Sequence, residues 1–136
     1  MSDPVVIAIL AVVRFLIGGL WYSPLLFARP WMRGLGITQT DIDQSGISKS
    51  RALLASAAAS LVQVLVLAWL LRLAAVTAPM LGALVGIAAS AAFGLLPGIK
   101  DRVWVDRPWS VILIDHGYEL VAAAICGAAL AYWVVR

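Results

Sequence analysis

Four apolar stretches, each about 18 to 25 residues long and so long enough to cross a bilayer as a helix, dominate this chain of 136 residues. The composition agrees, because 63% of the residues are hydrophobic and 12% are charged. Soluble domains are about 45 to 50% apolar and about 25% charged. We therefore predict an all-α integral membrane bundle of four transmembrane helices in a single domain, residues 1–136, with spans at residues 4–22, 52–71, 79–96 and 109–135.

The basic residues of the loops indicate the orientation of these spans. Seven of the ten Lys and Arg residues lie in the first and third loops, whereas Arg72 and Arg136 lie on the other side. Cytoplasmic loops carry an excess of Lys and Arg, so both chain ends are expected on the non-cytoplasmic side. The expected location is the inner membrane of a bacterium. Because orientation explains the positive charge, we expect the lipid bilayer as a partner and no nucleic acid.

Two prolines set the expected ends of helices. The residue before a proline avoids the helical region, so Ser23-Pro24 is expected to end the first span. For the same reason the third span is expected to stop at Pro97-Gly98. Residues 25–51 are expected to form an aqueous loop with a short interfacial helix near Trp31.

The loop contains a second helix signal at Thr38-Gln-Thr-Asp41. A threonine followed three residues later by an acidic residue can satisfy the free amide groups of a helix start. This pattern predicts that a helix begins next to Thr38.

Each predicted span carries one strongly polar group near its middle. Counting from the start of each span at about 1.5 Å per residue places these groups about 13 to 17 Å deep. A carboxylate at that depth costs roughly 2.5 to 3.5 kcal/mol on insertion scales, so it persists only with a partner or a function. The four groups are those of Arg14, Gln63, Ser90 and Glu119. We predict that Arg14 pairs with Glu119.

Two further residues extend this layer into an intramembrane polar cluster. Asp115 lies one helical turn from Glu119 on the same face, and Tyr118 lies on the adjoining strip. Two carboxylates at this spacing repel unless a cation lies between them or one is protonated, and Arg14 is expected to serve both. Three interpretations stay open: an ion-pair cluster that fixes helix register, a proton or cation relay, and a site for a lipid headgroup or ligand near Asp115.

The single histidine does not indicate a metal site. His116 points about 100° away from Asp115 on an ideal helix, so these neighbours do not converge on one ion, and a metal needs several convergent ligands. A haem ligand would need a second histidine from another protomer. We expect a satisfied interfacial histidine, no metal and no cofactor. The chain also lacks a phosphate-binding loop, a nucleophile elbow and a metalloprotease signature, so we expect no enzyme.

Small residues recur every four positions along the third span, which puts them on one helix face. They are Gly82, Gly86, Ser90 and Gly94. Such a row lets a neighbouring backbone approach closely, so we predict a helix-packing seam. The pattern leaves open whether the seam is used within one chain or between copies.

An interfacial motif joins the end of the first span to the start of the fourth. It consists of Trp21, Tyr22, Ser23, Pro24, Arg107, Pro108 and Trp109. One interpretation is membrane anchoring, in which aromatic rings lie at the headgroup level and the serine hydroxyl satisfies a freed carbonyl. The other is a substrate gate or a partner-docking lip on the cytoplasmic side.

The stretch GGLWYSPLLF, which begins at Gly18 and is followed by Trp31, resembles an uncharacterised membrane family, family 1761 of the domains of unknown function. Members typically show Trp-Tyr-Ser-Pro, then Phe-Gly-Lys and a tryptophan, whereas this chain has Ala28-Arg29 in place of Gly-Lys. The resemblance implies a small four-helix membrane protein of unknown activity and supplies no catalytic residues that could be assigned to this chain. A second match consists of Arg107-Pro108-Trp109, Leu113-Ile114, Gly117-Tyr118 and Gly127.

The expected function is that of a non-catalytic membrane protein, acting as a homo-oligomer or as an accessory subunit of a membrane complex. A chain this short buries little surface by itself, and the seam of the third span offers a surface for association. The alternative is a small transporter or proton-coupled channel that uses Arg14, Glu119 and Asp115.

Overall fold

The computed structural model describes residues 3–135 and is all-α, with no strand among them. Arg136, one of the basic residues used to predict the orientation of the spans, lies outside the described residues. The elements follow in chain order as α1 Asp3–Trp21, α2 Ala28–Leu35, α3 Gln39–Gln44, α4 Lys49–Leu73, α5 Pro79–Ser90, a π-helical segment Ala91–Leu95, α6 Leu96–Trp104 and α7 Trp109–Trp133.

Four of these helical stretches are long and apolar enough to cross a membrane: α1, α4, the continuous helix Pro79–Trp104, and α7. The spans predicted at residues 4–22, 52–71 and 109–135 agree with α1, α4 and α7 to within three residues at each end. The length and composition of these helices are those expected of membrane-spanning helices. The hydrophobic pattern of the sequence is sufficient to locate these three spans.

The third span is longer than predicted, because the helix continues through Pro97 as far as Trp104. Proline usually breaks a helix, since it lacks an N–H and its ring collides with the carbonyl four residues back. Here a π-helical segment precedes it, and the Leu96 N–H donates to the Ala91 carbonyl, five residues back. The wider turn moves the carbonyls relative to the ring, and Pro97 occupies the first turn of α6, where its missing N–H costs nothing. The predicted stop at Pro97-Gly98 is therefore wrong.

The segment between α1 and α4 contains both short helices that the sequence predicts. The first, α2, includes Trp31 and ends at Gly36, whose φ of 68° is left-handed. The second, α3, begins after Thr38, whose Oγ1 accepts from the Asp41 N–H at 3.2 Å while Asp41 Oδ2 accepts from the Thr38 N–H at 2.7 Å. Hydrogen bonds from the hydroxyl and the backbone N–H of Thr38 lower the pKa of the Asp41 carboxyl.

The seam of the third span packs backbone against backbone on α7. A Cβ atom on Gly82 would lie 2.2 Å from the carbonyl oxygen of Gly127, and one on Gly86 would lie 2.3 Å from that of Ala123. These distances are far inside van der Waals contact, so a side chain does not fit at either glycine. Removing side-chain bulk on both helices is what lets two membrane helices pack this closely.

The rest of the seam also faces α7. Ser90 Oγ lies 3.5 Å from the backbone carbonyl oxygen of Glu119, and a Cβ on Gly94 would lie 3.4 Å from His116 Nδ1. The seam is therefore used within the chain, and α7 occupies it. The argument that this seam favours association between copies is wrong, because it is not available to a second molecule.

The best-packed part of the bundle lies where α1 begins and where α4 and α7 end. An ion pair between Asp3 and Arg72 lies at the same end. Toward its own start, α4 leaves the bundle: every residue from Lys49 to Ala59 is exposed, and Ser60 is the first buried one. The buried cluster at the packed end consists of Val6, Leu10, Val64, Leu67, Ala68, Leu71, Val76, Cys126, Leu130, Ala131 and Val134.

The seam yields a direct test with an internal control. We expect Gly82→Ala to lower the free energy of unfolding by about 1 to 3 kcal/mol, because the added methyl group meets the Gly127 carbonyl and forces the helices apart. Gly19→Ala in α1 meets no atom within 4 Å and should leave stability equal or slightly higher. Unfolding in mixed micelles with increasing SDS measures both variants. Equal stability of the two would contradict the packing described for α5 and α7.

Candidate functional site

Three polar side chains from three different helices form a hydrogen-bonded triad in the middle of the bundle. Arg14 of α1 is 3% exposed. Its guanidinium forms an ion pair with Glu119 of α7 and donates from Nε to Gln63 Oε1 of α4 at 2.7 Å. Gln63 Nε2 donates in turn to Glu119 Oε2 at 3.2 Å. The pairing of Arg14 with Glu119 is the one predicted from their equal depth.

Ser90, the fourth residue of the predicted layer, approaches the triad without joining it. Its hydroxyl lies 3.5 Å from the backbone carbonyl oxygen of Glu119, and no hydrogen bond connects it to the side chains of the triad. The reason is its position on the packing seam, where it faces the α7 backbone.

Tyr118 closes the triad from the side of α1. Its hydroxyl donates to the backbone carbonyl of Arg14 at 3.2 Å, and the Arg14 Cζ lies 5.5 Å from the centre of its ring. The ring packs on Gly18, where a Cβ would lie 3.2 Å from the phenol oxygen. Tyr118 therefore buries the guanidinium and holds the α1 backbone against α7.

Asp115 belongs to a second cluster, separate from the triad. Its carboxylate pairs with Arg107 at 2.8 Å and accepts hydrogen bonds from the Tyr22 hydroxyl at 2.7 Å and from Trp31 Nε1 at 2.9 Å. The expectation that Arg14 serves both acids is wrong, because each carboxylate has its own arginine. Burial and the hydrogen bond to Asp115 raise the pKa of the Tyr22 phenol above its ordinary range.

The interfacial motif is the scaffold of this Asp115 cluster. Trp21 Nε1 donates to the Ile114 carbonyl at 2.8 Å, and its ring lies against Gly117, so that tryptophan faces α7 and not the lipid. Ser23 Oγ donates to the Leu20 carbonyl at 2.7 Å, as expected of a hydroxyl at a helix end. The anchoring interpretation does not fit the inward-facing Trp21.

The other half of the motif lies at the start of α7. Pro108 is the N-cap residue of that helix, and Trp109, its first residue, is about half exposed. Trp31 was not predicted as a site residue, although its indole N–H donates to Asp115. The available signal was its place in the family motif, a short interval after Trp-Tyr-Ser-Pro in a polar loop.

His116 packs into a hollow of the third span. A Cβ on Gly98 would lie 2.1 Å from its Nε2, so the absence of a side chain there makes room for the imidazole ring. Among residues 3–135, the ring nitrogens have no hydrogen-bond partner, and no group of three His, Cys, Asp or Glu side chains could hold a metal ion. The expectation of a satisfied histidine is not met within the described part of the chain.

Two cavities meet at the triad. One of about 340 Å³ lies between α1 and α4 and extends to Tyr22 and Leu53. The other, of about 510 Å³, lies between α4 and α5 and extends to Leu70. Gln63 and Glu119 line both cavities.

The sequence matches the family described as "Protein of unknown function (DUF1761)" over residues 5–131, a range that includes parts of all four apolar helices and both halves of the interfacial motif. The chain belongs to this family. The family resemblance noted for Trp-Tyr-Ser-Pro is thus confirmed over nearly the whole chain. No curated protein and no solved structure matches it.

In this DUF1761 protein the triad is neutral overall but not closed. The Glu119 side chain is 30% exposed, and both of its hydrogen bonds use Oε2, so Oε1 has no partner among the described residues. A carboxylate oxygen is an acceptor only, and Oε1 of Glu119 is left for a group from outside the described chain. The arrangement can therefore accept a hydrogen bond or a proton from a group that enters either cavity.

Removing one charge of the triad should lower the stability of the protein more than removing both charges. We expect Arg14→Leu to lower the free energy of unfolding by about 3 to 5 kcal/mol, because it leaves Glu119 charged and unpaired. The double variant Arg14→Leu with Glu119→Leu should recover most of that loss. SDS titration of the purified variants measures both effects. A single variant as stable as the parent protein would refute the ion pair.

Proposed function

We propose that this protein is a non-catalytic integral membrane protein that acts as a homo-oligomer or as an accessory subunit of a membrane complex. The observation that supports this best is the free half of α4. All residues from Lys49 to Ala59 are exposed, so this half of the helix is not buried by any other part of the described chain, although Leu53, Ser56 and Ala59 line the cavity beside α1. We infer that a helix of a partner protein, or of a second copy of this chain, packs on this half of α4.

The composition of this half helix favours a protein partner over lipid. Between residues 52 and 60 it has alanine or serine at every position except Leu53 and Leu54. Small residues let helix backbones approach closely, and in a membrane close packing is what drives helices to associate. The seam of α5 shows the same device within the chain, where glycines face α7.

We further propose that the protein resides in the inner membrane of a bacterium, with the first and third loops in the cytoplasm and both chain ends outside. The charge distribution supports this, since seven of the ten Lys and Arg residues lie in those two loops or in the helix ends next to them. The exposed Arg29 and Arg33 of α2 agree with a helix that lies on an anionic membrane surface.

Bulk added to the free half of α4 should prevent association. We expect Ala55→Leu combined with Ala59→Leu to convert the protein to monomers, or to release a copurifying subunit, because the added side chains hold the partner backbone away. The control is Ala88→Leu on α5, an exposed alanine outside the free half of α4. Native mass spectrometry of protein extracted under mild conditions gives the stoichiometry. A parent protein that is monomeric and has no copurifying partner would refute the proposal.

A second candidate function is proton-coupled transport. The observation that favours it is the position of Glu119 and Gln63 at the meeting point of two cavities. One cavity extends toward Tyr22 at the loop end of the bundle, and the other follows α4 to Leu70, about 10 Å beyond Gln63 toward the opposite end. Intramembrane carboxylates often mark such paths.

Proton flux into liposomes that contain a pH-sensitive dye tests this second candidate. If Glu119 carries protons, we expect Glu119→Gln to abolish the flux, because an amide does not release a proton in this pH range. The control is Asp101→Asn, which changes an exposed acid of α6 that lines neither cavity and should leave the flux unchanged. Flux that survives Glu119→Gln, or liposomes as tight as protein-free ones, would exclude this function.

A further inference from the structure

The cavity between α4 and α5, called here the α4–α5 groove, has the size of a small-molecule site. It measures about 510 Å³, and ligand pockets are typically about 300 to 1,000 Å³. The groove exists because α5 packs on α7 while α4 packs on α1, although a connection of only residues 74–78 joins α4 to α5. Its walls and floor include Gln63, Val66, Leu70, Phe93, His116 and Glu119.

Two polar groups on the floor of the groove have no partner within the described chain. Glu119 Oε1 accepts no hydrogen bond from the described residues. The ring nitrogens of His116 likewise form none with them. The two residues are three positions apart on α7, which puts them side by side on one helix face. A buried or lipid-facing polar atom without a partner costs free energy, so a ligand that supplies a donor here binds favourably.

The charges around the groove select an uncharged ligand. Arg14 and Glu119 neutralise each other, and no other Lys, Arg, Asp or Glu lines the groove. An ammonium or carboxylate ligand would therefore place an uncompensated charge at hydrocarbon depth, which is strongly unfavourable. Because an ionised carboxylate only accepts, the ligand must carry a hydrogen-bond donor.

The walls of the groove select a lipid-soluble ligand. Val66 and Leu70 of α4 form one wall, and Phe93 forms part of the other. Phe93 lies in the π-helical segment Ala91–Leu95, a type of irregular turn that occurs frequently at functional sites. Phe93 is 86% exposed, so its aromatic ring is free to contact a bound molecule.

We propose that the α4–α5 groove binds an uncharged, lipid-soluble hydroxyl compound, a phenol or an alcohol, whose O–H donates to Glu119 Oε1. The imidazole of His116 contacts the polar end of the ligand, and the apolar body lies along Val66, Leu70 and Phe93. This proposal is independent of the association through the free half of α4, which uses residues 49–59 and leaves the groove within the bundle.

Saturation binding of radiolabelled para-nonylphenol to the purified full chain, measured by scintillation proximity, tests the proposal. The key competitor is para-nonylanisole, which has nearly the same shape but a methyl ether in place of the hydroxyl donor. Loss of one hydrogen bond to a charged acceptor should weaken competition about tenfold or more. Nonylamine and decanoate, a cation and an anion of similar apolar length, should also compete at least about tenfold more weakly than unlabelled para-nonylphenol.

Two matched variants locate the site. Val66→Phe fills the groove from α4 without changing a residue of the triad and should abolish saturable binding. Leu65→Phe adds an aromatic ring to the neighbouring exposed position, which does not line the groove, and should bind like the parent protein. Equal competition by the ether, tighter binding of the amine or the acid, binding that survives Val66→Phe, or no saturable binding to folded protein would each overturn the proposal. Oligomeric state, measured on the same samples, reports separately on the association through α4.

Discussion

The ion pair between Arg14 and Glu119 is the interaction on which the interior of this bundle depends. A single charge at hydrocarbon depth is unfavourable by several kcal/mol, so neither residue is tolerable without the other. The pair fixes the relative depth of α1 and α7, because the two side chains meet only if the helices are in register. Gln63 brings α4 to the same level by bonding to both charges. The need to pair these two charges thus sets the relative position of α1, α4 and α7 along their axes.

The helix α7 contacts α5 and α1 in two physically different ways. It contacts α5 through a seam in which glycine removes side-chain bulk, and it contacts α1 through the charged triad and the Tyr118 ring. At the loop end of the bundle, Asp115 of α7 binds Arg107, Tyr22 and Trp31. The segment that follows α1 and the segment that precedes α7 are therefore both held against α7. Because the seam is steric and the clusters are polar, the two kinds of contact do not substitute for each other. The first half of α4 is exposed, and both cavities lie beside this helix.

Much of the fold and part of the candidate site could be predicted from local sequence. Hydrophobic length located α1, α4 and α7, and the constant helix rise put Arg14, Gln63 and Glu119 at one depth, where the structure joins them. The end of the third span was not predictable from proline alone, because a π-helical segment five residues long changes which carbonyls face the ring. Asp115 was assigned to the wrong arginine, because the pairing of Arg107 with it depends on how the chain before α7 lies against that helix, which only the tertiary structure shows.

The sequence by itself determined that the chain has four helices long and apolar enough to cross a membrane, that it belongs to an uncharacterised family, and that Arg14 and Glu119 form a pair. These properties follow from composition, motif and depth, which do not depend on how the helices are arranged. Only the tertiary structure decided which face of each helix meets which neighbour. It assigned the glycine seam to α7 of the same chain, and it left the start of α4 and one oxygen of Glu119 uncovered. Those choices depend on side-chain volume and backbone contact between segments far apart in sequence, which no local pattern encodes.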